Sequence, residues 1–404
     1  MVSILTRIFG IHNLELAEDV VQEAFTKATQ QWGFNGIPNN PSGWLLQVAK
    51  NKAIDVVRRE KYSKNFAEDL SYIAKSEWTI NTIGNFFLET EIEDSQLRMI
   101  FTCCHPALQP ESQIALTLKT LSGLSVGEIA KSLLTNEATI NKRLYRAKQF
   151  IREENIKFEI PTGNELHERL ENVYTVIYLL FNEGYNSGVA DTLIRKDLCV
   201  EAIRLCKLLS EHRVGEQTET FALLALMCFH AARFDARLDE EGSIILLKEQ
   251  NRALWNRELI EKGTYFLNKA SAGNEYTAYH FEASIASLHC AAESFEKTDW
   301  KLILKLYDAL VLQKDSPVIR LNRAIVIAKL YTPDRAIEEI NKIDGIESLT
   351  KSYYLFSATL GEMYLQKKEF KTAKKYFDTA LGLTTSNAEK ELIKKINSFM
   401  KTND

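Results

Sequence analysis

A cluster of basic residues near the middle of the chain carries the clearest chemical signal. Residues 137–152 contain one acidic side chain against five basic ones, a local charge of +4 in a chain whose net charge is −4. Apolar residues recur there at helical spacing and predict one buried face: Ile140, Leu144, Ala147 and Ile151. Winding this helix at about 100° per residue places polar side chains on or beside the opposite face. They are Thr139, Lys142, Arg143, Arg146 and Gln149.

Two interpretations of this helix are open. A helix fits the major groove of DNA, where guanidinium and ammonium groups contact bases and phosphates. The alternative is an ordinary solvated helix, but such a helix usually mixes charges of both signs along its surface. A short helix over residues 126–134, ending in a brief connection at 134–136, precedes it. Together they predict a helix-turn-helix, and we favour DNA contact.

A second polar surface is predicted near the N-terminus. The apolar spacing of residues 13–32 predicts a helix with Asp19, Gln22 and Glu23 on its outer face. Residues 33–43 contain three glycines and two prolines, which predicts a loop, with Ser42 placed to cap the next helix. That helix, over residues 43–59, is expected to bury an apolar side and to expose Gln47, Lys50, Asn51 and Arg58.

A polar loop that leads into a basic helix suits single-stranded nucleic acid. The loop can receive an extruded base, and the helix can follow the phosphates. Trp44, at the start of this helix, leaves two roles open. It stacks on a base, or it seals the helix end as a core aromatic, and we favour the second role.

The composition favours helix throughout the chain. Only 17 glycines and 7 prolines occur in 404 residues, and no convincing alternating strand pattern is found. The length suits two or three domains. No apolar run reaches the roughly 18 residues of a membrane span, and the N-terminus does not read as a signal peptide. The expectation is an all-α cytoplasmic protein without a membrane partner.

The sequence offers little to catalysis or metal binding. Six cysteines occur without a CxxC pair and are expected to be reduced and buried. Cys103 and Cys104 are neighbours, and adjacent residues on a helix diverge too far to share one tetrahedral ion. Neither a nucleophile elbow nor a phosphate-binding loop motif is found. We therefore expect no enzyme activity, no catalytic residue, no metal and no cofactor.

The charge changes sign along the chain and marks candidate boundaries. Residues 50–64 carry +4, whereas residues 65–94 carry −6 and predict an acidic linker, with a short extra helix over part of it as the alternative. Pro161 and Gly163 mark a second break. Beyond it, a tetratricopeptide-like pattern predicts paired helices: Leu360, Gly361, Tyr364, Ala373, Phe377 and Ala380. The same scheme occurs earlier, at Ala324, Ile327, Ala336 and Ile340.

A polar cluster stands out in the long C-terminal part. Its members fall within one short span: Arg233, Arg237, Asp239, Gln250, Arg252 and Trp255. The cluster lines a ligand site or docks the extension onto the DNA-binding half, or else its members form inter-helix hydrogen bonds and surface pairs. We favour the last alternative.

Three motifs make a family resemblance specific. AEDVVQEAF at residues 17–25, GWLLQVAKNKAIDVVRR at 43–59 and EIAKSLLTNEATINKRLYRAK at 128–148 resemble regions two and four of bacterial sigma factors of the extracytoplasmic-function type. CCHPAL, FNEGY, ALMCFHAARFDAR and TDW further resemble a subgroup with a tetratricopeptide-like C-terminal extension. With these included, the resemblance covers nearly the whole chain. It implies a helix before residue 13, of which residues 2–9 look like the second half.

The resemblance also implies residue roles. Asp19, Gln22 and Glu23 fall where such proteins bind the clamp helices of the polymerase β′ subunit. The loop that captures a flipped base of the −10 element corresponds to Asn35, Asn39 and Asn40. The −10 recognition and strand-opening helix corresponds to Lys50, Asn51, Asp55, Arg58 and Arg59. The −35 recognition helix corresponds to Thr139, Lys142, Arg143, Arg146 and Gln149.

We therefore predict an RNA polymerase sigma factor with a helical regulatory extension. Its predicted parts are region 2 over residues 1–64, the acidic linker over 65–94, region 4 over 95–157 and a tetratricopeptide-like domain over 166–404. The expected partners are core RNA polymerase (the β′ clamp helices and the β flap), promoter DNA and a protein or peptide that binds the extension. One rival interpretation is a helix-turn-helix activator with a tetratricopeptide sensor. Another is a helical-repeat adaptor or small-molecule enzyme with a vestigial DNA module. A sigma factor differs from both in binding core polymerase without DNA.

Overall fold

The structure is a computed structural model that describes residues 1–62, 83, 85–133, 135–185, 194–240 and 242–402. Within these ranges the regular structure is helical, apart from one isolated antiparallel bridge between Leu238 and Ile244. This confirms the all-α prediction. The chain divides into two compact units, Met1–Leu179 and Leu180–Asp404. The predicted domain boundary near residue 166 lies inside the first unit.

Seven helices and most of an eighth build the first unit within the described ranges. They are α1 (Val2–Phe9), α2 (Leu14–Asn35), α3 (Pro41–Tyr62), α4 (Glu89–Cys103), α5 (Pro110–Thr120), α6 (Val126–Ser132), α7 (Glu137–Glu153) and α8 (Asn164–Tyr185). A short 3-10 turn, Ile11–Asn13, joins α1 to α2. Helix α8 continues into the second unit.

Helices α1, α2 and α3 share one apolar core, to which part of the predicted acidic linker also belongs. Ile83 is buried in this core, and Phe86 and Ile92 pack against it. Arg7 of α1 binds Glu91 and Asp94 at 2.7 and 3.2 Å. The prediction of a linker over 65–94 is therefore wrong for its last part, because apolar contacts and these ion pairs fix the segment to α1. Residues 65–82 lie outside the described residues.

Helices α4 to α7 form the helix-turn-helix portion. The apolar face predicted for α7 is buried: Ile140, Leu144, Ala147 and Ile151. Helix α6 starts with a reciprocal cap, in which Ser125 Oγ accepts from the Glu128 backbone and the Glu128 carboxylate accepts from Ser125 N–H. Asn136 Oδ1 caps α7 through the Thr139 amide. The first cap fixes where α6 begins, and the second fixes where α7 begins after the turn.

The loop between α2 and α3 is shorter than the predicted 33–43. Helix α2 continues through Gly33 to Asn35, and Gly36 ends it with a φ of 76°, which favours glycine. Helix α3 starts at Pro41, where the proline lacks an N–H that would have no helical partner. The cap is Asn40, whose Oδ1 accepts from the Gly43 amide at 2.9 Å. The capping residue therefore lies two positions before Ser42, which was predicted to cap α3.

The second unit stacks helices in sequence after the end of α8. They are α9 (Lys196–Glu211), α10 (Thr218–Ala231), α11 (Arg257–Ala270), α12 (Ala278–Ala291), α13 (Trp300–Gln313), α14 (Pro317–Leu330), α15 (Pro333–Asn341), α16 (Ile346–Ser352), α17 (Tyr354–Gln366), α18 (Phe370–Leu383) and α19 (Asn387–Thr402). Most of them pack on the adjacent helix in the chain, and α12 packs chiefly on α10, two helices earlier. This is the nearest-neighbour arrangement of helical repeats.

The positions of the tetratricopeptide-like pattern are the packing positions of helix pairs. In the α17–α18 pair, Leu360, Ala373, Phe377 and Ala380 are buried. A Cβ at Gly361 would lie 3.1 Å from the Phe377 ring, so the close approach of the two helices requires glycine. The pattern therefore predicted the contact between these helices correctly.

Candidate nucleic-acid interface

Helix α7 presents a polar face opposite its buried one. Lys142, Arg146 and Gln149 are exposed, and Thr139 and Arg143 are half-buried at its edge. Gln149 donates to Glu153 at 2.7 Å, so its amide is held along the helix. The five residues that the sequence predicted for the outer face therefore lie on one side of α7. Guanidinium, ammonium and amide groups on one side of a helix can donate hydrogen bonds to base edges and to phosphate oxygens.

Tyr145 borders the polar face of α7 and was missed by the sequence interpretation. Its side chain is 67% exposed. At about 100° per residue, Tyr145 lies roughly 60° from Lys142 and roughly 40° from Gln149, just outside the polar face. The position of Tyr145 on the helical wheel was visible in the sequence, although its side chain carries no charge.

Lys148 differs from the other bases of α7 because it faces the protein. Its Nζ lies 2.8 Å from Glu18 Oε2 on α2, and both side chains are only 18% exposed. Nearby, His12 Nε2 lies 3.0 Å from Asn155 Oδ1, and Arg152 Nη2 lies 3.5 Å from the His12 carbonyl. These contacts join the end of α7 to the start of α2.

Helix α3 has the polar stripe that the sequence predicted. Asn51, Asp55, Arg58 and Arg59 are exposed, and Lys50 is half-buried. Gln47 Nε2 donates to Asn51 Oδ1 at 2.9 Å, which orients the exposed Asn51 amide. Ala49, Ala53, Val56 and Val57 are buried on the opposite side.

The loop before α3 is open and carries apolar as well as polar groups. Asn35, Asn39 and Asn40 are exposed, but the Oδ1 of Asn40 is engaged in the helix cap. Phe34 is 92% exposed at the end of α2. Trp44 packs edge-on against Trp32, with ring centroids 5.4 Å apart, as its role in sealing the helix end requires. The open aromatic beside the loop is therefore Phe34, which the sequence interpretation did not select.

The outer face of α2 carries the three residues predicted to bind polymerase. Asp19, Gln22 and Glu23 are exposed in adjacent turns. Glu23 forms an ion pair with Lys52 of α3 at 2.5 Å, which connects this face of α2 to the middle of α3. Exposed pairs of this kind contribute little to stability, so Glu23 can change partner at small cost.

The polar cluster of the second unit consists mainly of inter-helix contacts. Arg252 Nη1 donates to the carbonyls of His289 and Ala292 at 2.5 and 2.7 Å and lies over the buried Trp255 ring. Arg233 donates to Gln250 and faces Trp255 at 5.4 Å. These contacts fit the alternative favoured from the sequence, in which the members form inter-helix hydrogen bonds and surface pairs.

Two histidines beside these arginines are held neutral. Burial lowers the pKa of His230 to about 3, and Arg233 and Arg237 add to this effect. Burial likewise lowers the pKa of His289 to about 4, with Arg233 and Arg252 contributing. The cluster therefore places positive charge in the interior without adding protonated imidazole to it.

The described part of the chain holds no group of three or more His, Cys, Asp or Glu residues arranged for a metal ion. All six cysteines are free and buried. None of the described helices is both long enough and apolar enough to cross a bilayer.

Three family models match the chain in sequence. Sigma-70 region 2 matches residues 1–62, and Sigma-70 region 4 matches residues 98–151. A family of unknown function, DUF6596, matches residues 169–271. The first two matches cover the unit that carries α3 and α7, and the third spans the end of α8 and the polar cluster. The chain is a sigma factor of the extracytoplasmic-function type with a C-terminal extension.

Relatives of the sigma factor fall into two groups. An uncharacterized protein of Rhizobium meliloti (strain 1021) is 36% identical over 384 residues, 95% of this chain and 89% of that protein. The ECF RNA polymerase sigma factor SigM of Bacillus subtilis (strain 168) is 29% identical over 138 residues, 33% of this chain and 76% of its own. The probable ECF RNA polymerase sigma factor SigI of Mycobacterium tuberculosis (H37Rv) is 21% identical over 194 residues, 48% and 62% respectively. No solved structure matches the sigma factor.

Membership in this family implies core RNA polymerase and promoter DNA as partners. The family is not a class of enzymes. The match to SigM covers 33% of the sigma factor, whereas the match to the Rhizobium protein covers 95% and therefore includes the extension.

Proposed function

We propose that α7 of this sigma factor reads the −35 promoter element. The observation that carries the proposal is the division of α7 into a fully buried apolar face and an exposed polar one with Lys142, Arg146 and Gln149. Arg146 can bind a guanine through two hydrogen bonds, and Lys142 can bind a phosphate or base edge. Thr139 and Arg143 lie at the edge, where backbone contacts set the register.

The loop and α3 act on the opened −10 strand. Asn35 and Asn39 offer amides to an extruded base, and Phe34 offers a ring for stacking. Along α3, the Asn51 amide, oriented by Gln47, contacts a base, while Arg58 and Arg59 follow phosphates. Lys50 and Asp55 flank this stripe and complete the predicted surface.

The outer face of α2 binds the β′ clamp helices of core polymerase through Asp19, Gln22 and Glu23, and region 4 meets the β flap. Nucleotide addition belongs to the polymerase, and the sigma factor contributes promoter recognition. The sigma factor acts where polymerase and promoter meet, in the cytoplasm.

Promoter binding requires the two DNA-binding parts to separate. Positions −35 and −10 lie about 25 base pairs apart, roughly 85 Å along B-form DNA at 3.4 Å per pair. A compact unit of the size of Met1–Leu179 has a radius of gyration of about 16 Å, so it is roughly 40 Å across. The Lys148–Glu18 contact belongs to the compact form and is lost on the promoter.

The extension supplies regulation. Helix α8 runs from the first unit into the second, so the extension is covalently held at high effective concentration. Arg169 of α8 donates to the Phe101 carbonyl at 2.6 Å, so a truncation that respects the first unit must keep α8. A chain ending after Tyr185 is expected to fold in its first unit and to transcribe at a changed level. A protein or peptide partner on the extension stays a prediction.

The deciding experiment is capture of core RNA polymerase by the full-length protein without DNA, followed by run-off transcription. A sigma factor binds core in the absence of promoter and directs initiation from specific sites. The triple variant Asp19→Ala/Gln22→Ala/Glu23→Ala is expected to lose core binding, whereas Glu159→Ala, at an exposed acid outside α2, keeps it. DNA binding by the free chain without core capture would favour the activator alternative and reject the proposal.

A further inference from the structure

The second unit contains a cavity that the sigma function does not use. Its volume is about 540 Å³, within the range of small-molecule sites. Helices α12 to α14 and α17 to α19 contribute to its wall, together with the segment around Leu246 that follows the Leu238–Ile244 bridge. All of these elements lie within the one unit.

The wall of this cavity is mainly apolar and aromatic. Phe295, Trp300, Tyr307, Tyr354 and Phe377 contribute rings, and Met363 adds a flexible thioether. Burial raises the pKa of Tyr307, as expected for a phenol in an apolar wall. Such a wall favours a ligand with a sizeable hydrocarbon or aromatic body, because burying that body removes its apolar surface from water.

Charge is distributed unevenly around the cavity. Its exposed lining residues are Lys248, Lys329 and Gln366, so its mouth carries two ammonium groups. The half-buried Arg237 also lines the wall, but its guanidinium donates to the Tyr185 carbonyl and lies over the Tyr185 ring. Lys248 has Glu249 at 3.8 Å. The two acidic residues of the wall are only partly exposed and are engaged. Glu389 accepts from the hydroxyls of Tyr354 and Thr384, and Glu362 accepts from Gln366.

We propose that this cavity binds a small amphipathic organic acid. The apolar body lies among the aromatic side chains, and the carboxylate lies at the mouth between Lys248 and Lys329. A peptide fits less well, because each of its residues brings a backbone N–H and C=O that need partners, and the wall is mainly apolar. This inference goes beyond promoter recognition and does not depend on it.

Titration calorimetry of the full-length protein with decanoate, 1-decanol and decyltrimethylammonium tests the proposal without polymerase or DNA. Decanoate is expected to bind at least about tenfold more tightly than decanol, and the cationic probe more weakly still. Amide hydrogen exchange, measured with and without decanoate, should show added protection in α12–α14 and α17–α19.

Two sets of variants separate the apolar body from the anionic head. Ala358→Trp fills the cavity and should abolish binding, whereas Ala272→Trp, at an exposed position outside the lining, should leave it unchanged. Lys248→Glu/Lys329→Glu should remove the preference for decanoate over decanol, whereas Lys305→Glu, also exposed and outside the lining, should keep it. The lysine variants change exposed residues, so they test the proposal even if Ala358→Trp does not fold.

Several results would overturn the proposal. They are equal affinity for decanoate and decanol, undiminished binding by a folded Ala358→Trp protein, and protection confined to other helices. Binding of the capped peptide acetyl-Leu-Leu-Leu-amide in place of decanoate would assign the cavity to a peptide and would also reject the acid.

Discussion

The two units use their arginines in opposite ways. In the first unit, Arg58 and Arg146 project from helices whose other faces are buried. In the second unit, Arg233 and Arg252 lie against the buried Trp255, and Arg252 donates to the carbonyls at the end of α12. The same side chain is thus exposed in the first unit, where we propose that it contacts DNA, and it joins neighbouring segments in the second.

This difference predicts different consequences of mutation. Exposed cations attract DNA through released counterions, so their removal changes binding and its salt dependence but not folding. The half-buried guanidinium of Arg252 satisfies carbonyls that would otherwise lose hydrogen bonds, so its removal changes stability. The predictions below test this division.

The largest effect is expected for Arg252→Ala. The change removes two charge-assisted hydrogen bonds and a cation–π contact, and it should destabilise the second unit by about 3 kcal/mol. Hydrogen exchange in α10–α12 measures the loss. Arg257→Ala, exposed on the next helix, is the matched control and should stay within about 0.5 kcal/mol of the parent. Equal losses of stability in the two variants would show that the contacts of Arg252 do not distinguish it from a surface arginine.

A smaller effect, on binding alone, is expected for Arg146→Ala. Promoter affinity of the holoenzyme should fall by about 2 kcal/mol if Arg146 binds a guanine with two hydrogen bonds. Discrimination at one base pair should fall with it, whereas a uniform loss with a smaller salt slope would assign Arg146 to phosphate. Lys157→Ala, a base outside α7, serves as the control. An unchanged affinity and salt slope in Arg146→Ala would remove this residue from the interface.

Arg58→Ala should slow strand opening about tenfold, or about 1.4 kcal/mol, and leave capture of core polymerase intact. Asn51→Ala should act in the same direction, because its amide is exposed on α3. Permanganate footprinting of the −10 region provides the measurement, and a premelted promoter should restore both variants. Normal opening by both proteins would count against the role of α3.

Acidification should weaken the second unit. Both His230 and His289 have a lowered pKa in the folded chain, about 3 and about 4, against an unfolded value near 6.5. The unfolded chain therefore takes up protons first as the pH falls through 6.5, and stability is lost. Between pH 7.5 and 6.5 the loss should be about 0.7 kcal/mol for the pair. Hydrogen exchange corrected for intrinsic rates measures it, and His289→Asn should roughly halve it; an equal loss in that variant would disprove the assignment.

The smallest effect is expected from opening the Lys148–Glu18 contact. Lys148→Glu replaces an attraction by a repulsion within the compact form and should raise promoter affinity about twofold through a larger open population. The swapped variant Glu18→Lys/Lys148→Glu restores the pair and should return to the parental value. A lower affinity in Lys148→Glu, not restored by the swap, would place Lys148 on DNA instead.

The sequence by itself determined the helices and their faces. Residues three and four apart lie on the same side of a helix, so the burial of Ile140, Leu144 and Ala147 and the exposure of Arg146 follow from spacing alone. Gly361 likewise predicted a pair of closely packed helices. The motifs for regions 2 and 4 also lay within short continuous segments.

Only the tertiary structure decided which partners distant residues meet. Lys148 shares the charge of α7 but turns to Glu18, 130 positions away. Ile83 sits in an acidic segment yet enters the core of α1 to α3. The cavity is formed by helices from widely separated parts of the second unit. Periodicity describes a single helix and carries no information on such long-range pairs, because these depend on how the helices pack in three dimensions.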